Sequence, residues 1–334
     1  MVLELDRLVS LLPPGTLEVA RRWCPPGRLD RMTRDLVLPL AIEPDWPGPA
    51  DPLAVGDGWV QADITDDDRD TLDRLRATMP NATAEQLATA AQTWRLPVLP
   101  YRPLPTNAAP SRPLPSEEFT GSGMSMAGLK VVDLSSLWAG PLCTQLLADA
   151  GAEVTKVDPD CRPDGFRERP HLYAQLNTGK TIVDLDLRRP NDRDAFEDLL
   201  RHADLLVDSF SRRVLPNLGY DAAALQRLNP TMARVSIVAF PTGCPEQDWL
   251  AYGSGIHAVS GLGLATGRAK ASAVAYPDSL TGYAAFHAAR SVVDAARHGT
   301  ASAGSLHRSQ SAYREVSLWE AAAAVVAATN GVHQ

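Results

Sequence analysis

The chain of 334 residues predicts an α/β fold: a doubly wound, mostly parallel sheet covered by helices, with a small α+β region ahead of it. Three observations predict it. Residues 128–158, GLKVVDLSSLWAGPLCTQLLADAGAEVTKVD, read as strand, short loop, helix and second strand, the length of one βαβ unit. Strand-like and helical segments keep alternating from there to the C-terminus. A hydrophobic content of 45% with 22% charged residues is ordinary for a globular chain with room for two domains and a sizeable core.

The first region spans residues 1–100. Residues 4–12 and 16–23 read as short amphipathic helices, stopped by Pro13-Pro14 and Pro25-Pro26-Gly27. Residues 53–64 place apolar residues either side of Gly56-Asp57-Gly58, a hairpin signal. Thr65 is a candidate N-cap, with Asp66, Asp67 and Asp68 in the first turn of a helix reaching Met79. Thr83-Ala-Glu-Gln resembles a capping box and opens a helix to about Trp94, followed by a short strand at 96–99. Residues 101–127, rich in Pro, Ser, Thr and Gly without periodicity, read as an extended linker, mobile around Gly121-Ser-Gly123.

The large domain runs over residues 128–330. Residues 129–134 form a mostly apolar strand of the kind covered on both faces. Gly140-Pro141 opens the helix at 139–150, and Leu142, Leu146 and Leu147 recur at the spacing that faces a sheet. After Gly151 a strand begins at 154–157. Strands are then expected at 180–187, 204–208, 234–240 and 314–317, and helices at 190–202, 220–228, 250–264, 278–298 and 318–328.

Charge and cysteines narrow the function. A net charge of −8 opposes nucleic-acid binding, which needs a basic face to displace counterions. Cys24, Cys143, Cys161 and Cys244 form no CxxC pair, so a disulfide framework and a metal site are not expected, and the cytoplasm is the expected compartment. The N-terminus lacks a signal-peptide pattern, and the apolar run at 321–328 is too short to span a membrane. Asp158 closes the second strand where a ribose-binding acid would stand, yet SSLWAG lacks the glycines of a dinucleotide fingerprint. There is no Walker A motif, no G-x-S-x-G and no HExxH, and Ser254 lacks the flanking glycines of a nucleophile elbow. Asp278, which follows Tyr276-Pro277 at the start of an alanine-rich helix, reads locally as an N-cap.

An ordered set of segments resembles the family III CoA-transferases, the group that includes formyl-CoA transferase, carnitine CoA-transferase and α-methylacyl-CoA racemase. It begins at residues 128–158 and continues through Leu176-Asn-Thr-Gly-Lys180, Thr181-Ile-Val-Asp-Leu-Asp186, Val207-Asp-Ser-Phe210 and Val214-Leu-Pro-Asn-Leu-Gly219. Leu228-Asn-Pro230, Ser260-Gly-Leu-Gly263, Tyr276-Pro-Asp-Ser-Leu-Thr-Gly282 and Val316-Ser-Leu-Trp-Glu320 complete it. In the first region, Asp57-Gly-Trp-Val60, Thr83-Ala-Glu-Gln-Leu and Arg95-Leu-Pro-Val-Leu-Pro100 weakly resemble the small domain that normally follows the large one, so the domain order is expected to be permuted.

The resemblance implies an acyl-CoA transferase that moves CoA between carboxylic acids, with acyl-CoA and an acid acceptor as substrates and an interlocked homodimer as the assembly. It makes Asp278 the nucleophile, forming an aspartyl-CoA thioester. The racemases of the family place a histidine where this chain has Tyr252 and an aspartate where it has Gly253; tyrosine is a poor base near neutral pH, which disfavours racemase chemistry. His257 is the nearby candidate for a second base. Leu137, Trp138 and Ala139 are expected to border the CoA nucleotide or pantetheine, and Lys156, Arg162, Lys180, Arg212 and Arg213 to meet its phosphates. Two departures stand out: a long polar stretch at 298–310 replaces the family's glycine turn, and the family's glycine-rich loop falls beyond residue 334. The alternatives are therefore a CoA-ester isomerase or racemase using Asp278 with another base, and a degenerate homologue that binds an acyl-CoA or a protein without turnover.

Overall fold

The computed structural model describes residues 7–25, 27–43, 45–105, 126–298 and 313–332. Most of the linker expected at 101–127, the polar stretch after His298 and the start of the first expected helix lie outside the described residues. The chain divides into two compact units. One comprises Met1–Pro113, Ala239–Leu280 and Ser317–Gln334; the other comprises Leu114–Val238 and Thr281–Val316.

In the first unit a three-stranded antiparallel sheet is built from β1 (Leu53–Val55), β2 (Gly58–Ala62) and β3 (Val98–Pro100). β1 and β2 form the hairpin, with Val55 opposite Gly58 across the turn. The helices Asp66–Thr78 and Ala84–Thr93 stand between β2 and β3. Thr83 caps the second by a reciprocal pair: its hydroxyl accepts from the Gln86 amide (3.2 Å) while Gln86 Oε1 accepts from the Thr83 amide (2.9 Å). Two of the orphan donors of the first turn are satisfied in this way. Thr65 is the N-cap residue of the first but makes no side-chain cap bond. Val60, Leu72, Leu87, Ala91, Leu96 and Val98 bury a shared core. The Pro-rich stretch before the hairpin holds two short helices that lacked a sequence signal, Leu29–Leu36 and Leu38–Ile42.

In the second unit the sheet order is β6-β5-β4-β7-β8-β9, from β4 (Lys130–Leu134), β5 (Glu153–Val157), β6 (Thr181–Val183), β7 (Leu205–Asp208), β8 (Ala233–Val238) and β9 (Tyr313–Ser317). β6 through β8 pair in parallel. The chain runs outward from β4 to β5 and β6, then returns to β7 on the other side of β4. The order therefore reverses between β4 and β7, and open α/β sheets bind ligands outside the carboxyl ends of strands at such a reversal. The helix Ala139–Asp149 starts at the predicted Ala-Gly-Pro, and Leu142, Leu146 and Leu147 are all buried. β6 is shorter than the expected strand at 180–187, because Asp184 and Asp186 turn to accept backbone amides from Asp160 and Arg188. On one side of the sheet Val132, Leu134, Phe196, Leu200, Leu206 and Leu215 fill the core.

Candidate active site

Asp278 lies in the first turn of the helix Tyr276–His298, three residues beyond the cap position, Ala275, and not at the cap its local sequence suggested. Its amide donates to the Ala275 carbonyl (3.0 Å). The residue keeps part of its surface in solvent. A Cβ at Gly253 would lie 2.0 Å from Asp278 Oδ2, so the absence of a side chain at Gly253 is what allows the carboxylate its place. Burial pushes the Asp278 pKa up to about 7; the charge of Asp63 adds to the rise, and the amides of Asp278 and Gly253 oppose it.

Asp63, just beyond β2, is a residue the sequence reading missed. Its Oδ1 accepts from Gln61 Nε2 (3.0 Å), and Gln61 Oε1 accepts from the Tyr101 hydroxyl (2.8 Å). Its buried Oδ2 lies 3.2 Å from where a Cβ at Gly255 would stand. Burial raises its pKa, opposed by hydrogen bonds from the Ser254 hydroxyl, Gln61 and the Gly255 amide. Asp278 and Asp63 thus sit against the same Gly253-Ser254-Gly255 turn, which opens the helix Gly253–Val259. No short-range pattern marks Asp63, since the Gly253-Ser254-Gly255 turn it packs against lies about 190 residues away in the chain.

His257 does not belong to this turn. It is 5% exposed, with Nδ1 3.1 Å from the Tyr276 hydroxyl and Nε2 3.3 Å from the Lys270 carbonyl. Burial lowers its pKa to about 4. Both ring nitrogens are engaged and the side chain is buried, so the structure places His257 in packing contacts with Tyr276 and the Lys270 carbonyl and not beside the two carboxylates, where the sequence reading expected a second base. Tyr252, by contrast, is exposed at the N-cap of the helix.

The loop after β4, in the second unit, is held through its backbone. Lys156 Nζ donates to the Ser135 carbonyl (2.5 Å) and pairs with Asp164 Oδ2 (3.1 Å); both side chains are almost fully buried. Asp164 Oδ1 accepts from the Leu137 amide (3.0 Å) and Ser209 Oγ accepts from the Ser136 amide (3.1 Å). Leu137 sits in the left-handed region at φ 65°, which costs a non-glycine residue energy and persists only where the surroundings enforce it. Leu137 is half-buried, while Trp138 and Ala139 are buried. Asp158, the candidate ribose acid, is engaged by Tyr173 (2.6 Å), Arg167 (2.8 Å) and the Asp164 amide (2.9 Å).

Of the five cations expected at phosphates, two are corrected. Lys180 is buried and donates to Asp133 Oδ2 (3.2 Å), Pro141 O (3.1 Å), Thr144 Oγ1 (2.7 Å) and Asn177 Oδ1 (3.1 Å). Burial acts to raise the pKa of Asp133, but Lys180, Lys156 and the Ser135 and Thr144 hydroxyls outweigh it and hold the group at about 2. Lys156 and Lys180 are therefore internal counter-charges and have no surface from which to reach a phosphate. Arg212 is paired with Glu315 (2.9 Å), while Arg162 and Arg213 are exposed. Among the described residues no group of three His, Cys, Asp or Glu side chains could hold a metal ion, and no helix is long and apolar enough to cross a membrane.

Comparison with known proteins agrees with this architecture. An acetyl-CoA:oxalate CoA-transferase from Acetobacter aceti is 31% identical over 147 residues, 42% of this chain and 38% of the relative. A formyl-CoA:oxalate CoA-transferase from Bradyrhizobium diazoefficiens is 30% identical over 151 residues, 43% of this chain and 35% of the relative. The matched stretch is thus well under half the length of these curated relatives. Among solved structures, a CAIB/BAIF family protein from Brucella suis aligns with a TM-score of 0.53 at 25% identity, over 64% of this chain and 58% of that one. A hypothetical protein from Mycobacterium tuberculosis, 21% identical, shares the fold with a TM-score of 0.55 over 62% and 57% of the two chains. The family model described as CoA-transferase family III matches residues 126–329, more than half of the chain, and the protein belongs to that family.

Proposed function

We propose that the protein transfers CoA from an acyl-CoA to a carboxylic acid, with Asp278 as the covalent nucleophile. The observation that carries this reading is the Asp278 carboxylate, partly exposed in the first turn of its helix, with Gly253 withholding the side chain that would displace it. Ionised Asp278 attacks the thioester carbonyl, the C–S bond breaks, and CoA leaves as thiolate while a mixed anhydride forms. The thiolate then attacks the aspartyl carbonyl, releasing the donor acid and leaving aspartyl-CoA. An acceptor carboxylate repeats the two steps in reverse and regenerates the aspartate. The Gly253 amide, which hydrogen-bonds the Asp278 carboxylate, is a candidate donor to the oxygen that gains charge when the aspartyl carbonyl is attacked.

The loop after β4 is proposed as the CoA-binding element, because it lies at the point where the strand order reverses. Arg162 and Arg213 are proposed for the phosphates. The relatives' names make acetyl-CoA or formyl-CoA with oxalate the first substrate pairs to test. A homodimer, and an N-terminal small domain permuted relative to the family order, complete this reading.

Incubation with acetyl-CoA and hydroxylamine tests the mechanism. A hydroxamate at Asp278, found by peptide mass spectrometry and absent in Asp278→Asn, is the expected result; CoA exchange without any such adduct would overturn the covalent route. A second reading, α-proton exchange on a CoA ester, is favoured by Asp63, a second carboxylate on the same turn. Deuterium incorporation into a 2-methylacyl-CoA, without hydroxamate, would decide for it.

A further inference from the structure

The helix Gly253–Val259 is poorly started by its own sequence. It opens Gly-Ser-Gly, and glycine is a weak helix former. Its N-cap residue, Tyr252, makes no side-chain cap bond, so the amides of the first turn need acceptors from elsewhere. Two carboxylates from distant parts of the chain supply them. Asp278 takes the Gly253 amide, and Asp63 takes the Gly255 amide together with the Ser254 hydroxyl. Negative charge at this end also suits the helix dipole.

Asp63 is held from behind. Its amide donates to the Pro97 carbonyl (3.1 Å), and its Oδ1 accepts from Gln61 Nε2 (3.0 Å). Gln61 is fully buried; its Nε2 also donates to the Ala50 carbonyl (3.2 Å), and its Oε1 accepts from the Tyr101 hydroxyl (2.8 Å). Tyr101 follows β3 directly, and β3 and Tyr101 press on the helix and on the turn after it without slack. A Cβ at Gly255 would stand 2.7 Å from Leu99 Cδ1, and one at Gly263 2.5 Å from Tyr101 Cε1. A line of mutually engaged polar groups thus runs from Tyr101 through Gln61 and Asp63 to the glycine turn. Locking a reacting group this way, through a supporting layer of packed and hydrogen-bonded side chains, is what keeps it in a productive geometry.

Resting on the transferase reading above, we propose that Asp63 is a positioning residue for the nucleophile. Held by Gln61 and Tyr101, it fixes the Gly253-Ser254-Gly255 turn so that the Gly253 amide stays on the Asp278 carboxylate. Nothing in this role requires Asp63 to touch the substrate. Its loss loosens the turn, and with it the nucleophile, while the binding of acyl-CoA is unaffected.

Hydroxamate formation at Asp278 in the full chain, followed against pH and acetyl-CoA concentration, tests this. Asp63→Leu keeps the bulk and removes both acceptor and charge. It is expected to lower the alkaline plateau rate by roughly 10–100-fold, the cost of a nucleophile displaced by a fraction of an ångström to about 1 Å, with KM for acetyl-CoA unchanged. Asp63→Asn restores an acceptor without the charge and should recover most of that plateau. Both variants lose the charge and move the acid limb to lower pH, so only the plateau separates positioning from electrostatics. Tyr101→Phe leaves the charge of Asp63 in place and frees Gln61; it should lower the plateau severalfold with the acid limb where it was. Thermal midpoints show which variants are folded, and should Asp63→Leu not fold, the plateau of Tyr101→Phe decides. An unchanged plateau in the folded variants, or no recovery in Asp63→Asn, would overturn the inference and leave Asp278 standing as nucleophile. If the unaltered chain gave no hydroxamate, the covalent reading itself would fall, and this inference with it.

Discussion

Gly253 and Asp278 are locked together by space: a Cβ on the first would lie 2.0 Å from Oδ2 of the second and 2.9 Å from the Ala275 Cβ. Gly253→Ala must therefore drive the carboxylate out of its position. A displacement of about 1 Å at a nucleophile costs on the order of 10²-fold in rate. Hydroxamate formation from acetyl-CoA should fall by about that factor, while overpacking costs ~1–3 kcal/mol of stability, measured by urea denaturation. Wild-type labelling in the alanine variant would show that Asp278 is not the nucleophile.

The Asp278 pKa, raised to about 7 chiefly by burial, sets the pH response. The nucleophile must be ionised, so labelling should rise with pH through about 7 and level off above it. Stability runs the other way. Between the ordinary carboxylate value and about 7 the folded state binds the proton that the unfolded chain has lost, so this group's contribution falls as pH rises across that window. Asp278→Asn should thus gain on the order of 2 kcal/mol at pH 8 and nothing at pH 4, allowing for the solvent exposure the residue keeps.

Asp63 adds to that rise through its charge. Asp63→Asn should move the acid limb of the labelling profile to lower pH, with the Michaelis constant for acyl-CoA unchanged. A profile identical to wild type would show that the two carboxylates are not coupled.

The Asp133–Lys180 pair has both side chains fully buried, and breaking such a pair is expensive because the surviving charge loses the counter-ion in contact with it. Lys180→Met should cost about 3–5 kcal/mol in denaturant titration. Asp133→Leu combined with Lys180→Met should recover much of it, as apolar replacement of a whole buried pair commonly does. A double variant no more stable than the single would instead assign the cost to the Thr144, Asn177 and Pro141 contacts of the ammonium.

Thiol reactivity should divide the cysteines. Cys143 is fully buried, and burial pushes its pKa up, whereas Cys161 is exposed. A small disulfide reagent should modify Cys161 rapidly and Cys143 only on unfolding. Fast modification that survives Cys161→Ser would place the reactive thiol elsewhere.

The hairpin at Gly56-Asp57-Gly58, the Thr83–Gln86 capping box and the Ala139–Asp149 helix were legible because each rests on residues within one or two turns of each other. The alternation of such segments was enough for the parallel sheet, and the ordered motifs were enough for the family. Local patterning did not reach further. Helix Leu29–Leu36 lay hidden among prolines, and its buried Arg28–Asp35 pair joins its N-cap residue to its last turn. Lys156 and Lys180 looked like surface cations, because a sequence states charge but not which side of a sheet receives it. His257 looked like a base until Tyr276 and the Lys270 carbonyl closed on both its nitrogens.

What the chain determined by itself was the alternation of strands and helices in the parallel sheet, the Thr83–Gln86 capping box and the aspartate that follows Tyr276-Pro277. Tertiary packing alone decided which carboxylates share the Gly253-Ser254-Gly255 turn, which lysines are internal, and that Leu137 is held left-handed by Asp164. The reason is physical. Periodicity and capping are written by neighbours a few residues apart, whereas burial and charge pairing are set by groups that only the closed fold brings within hydrogen-bonding reach.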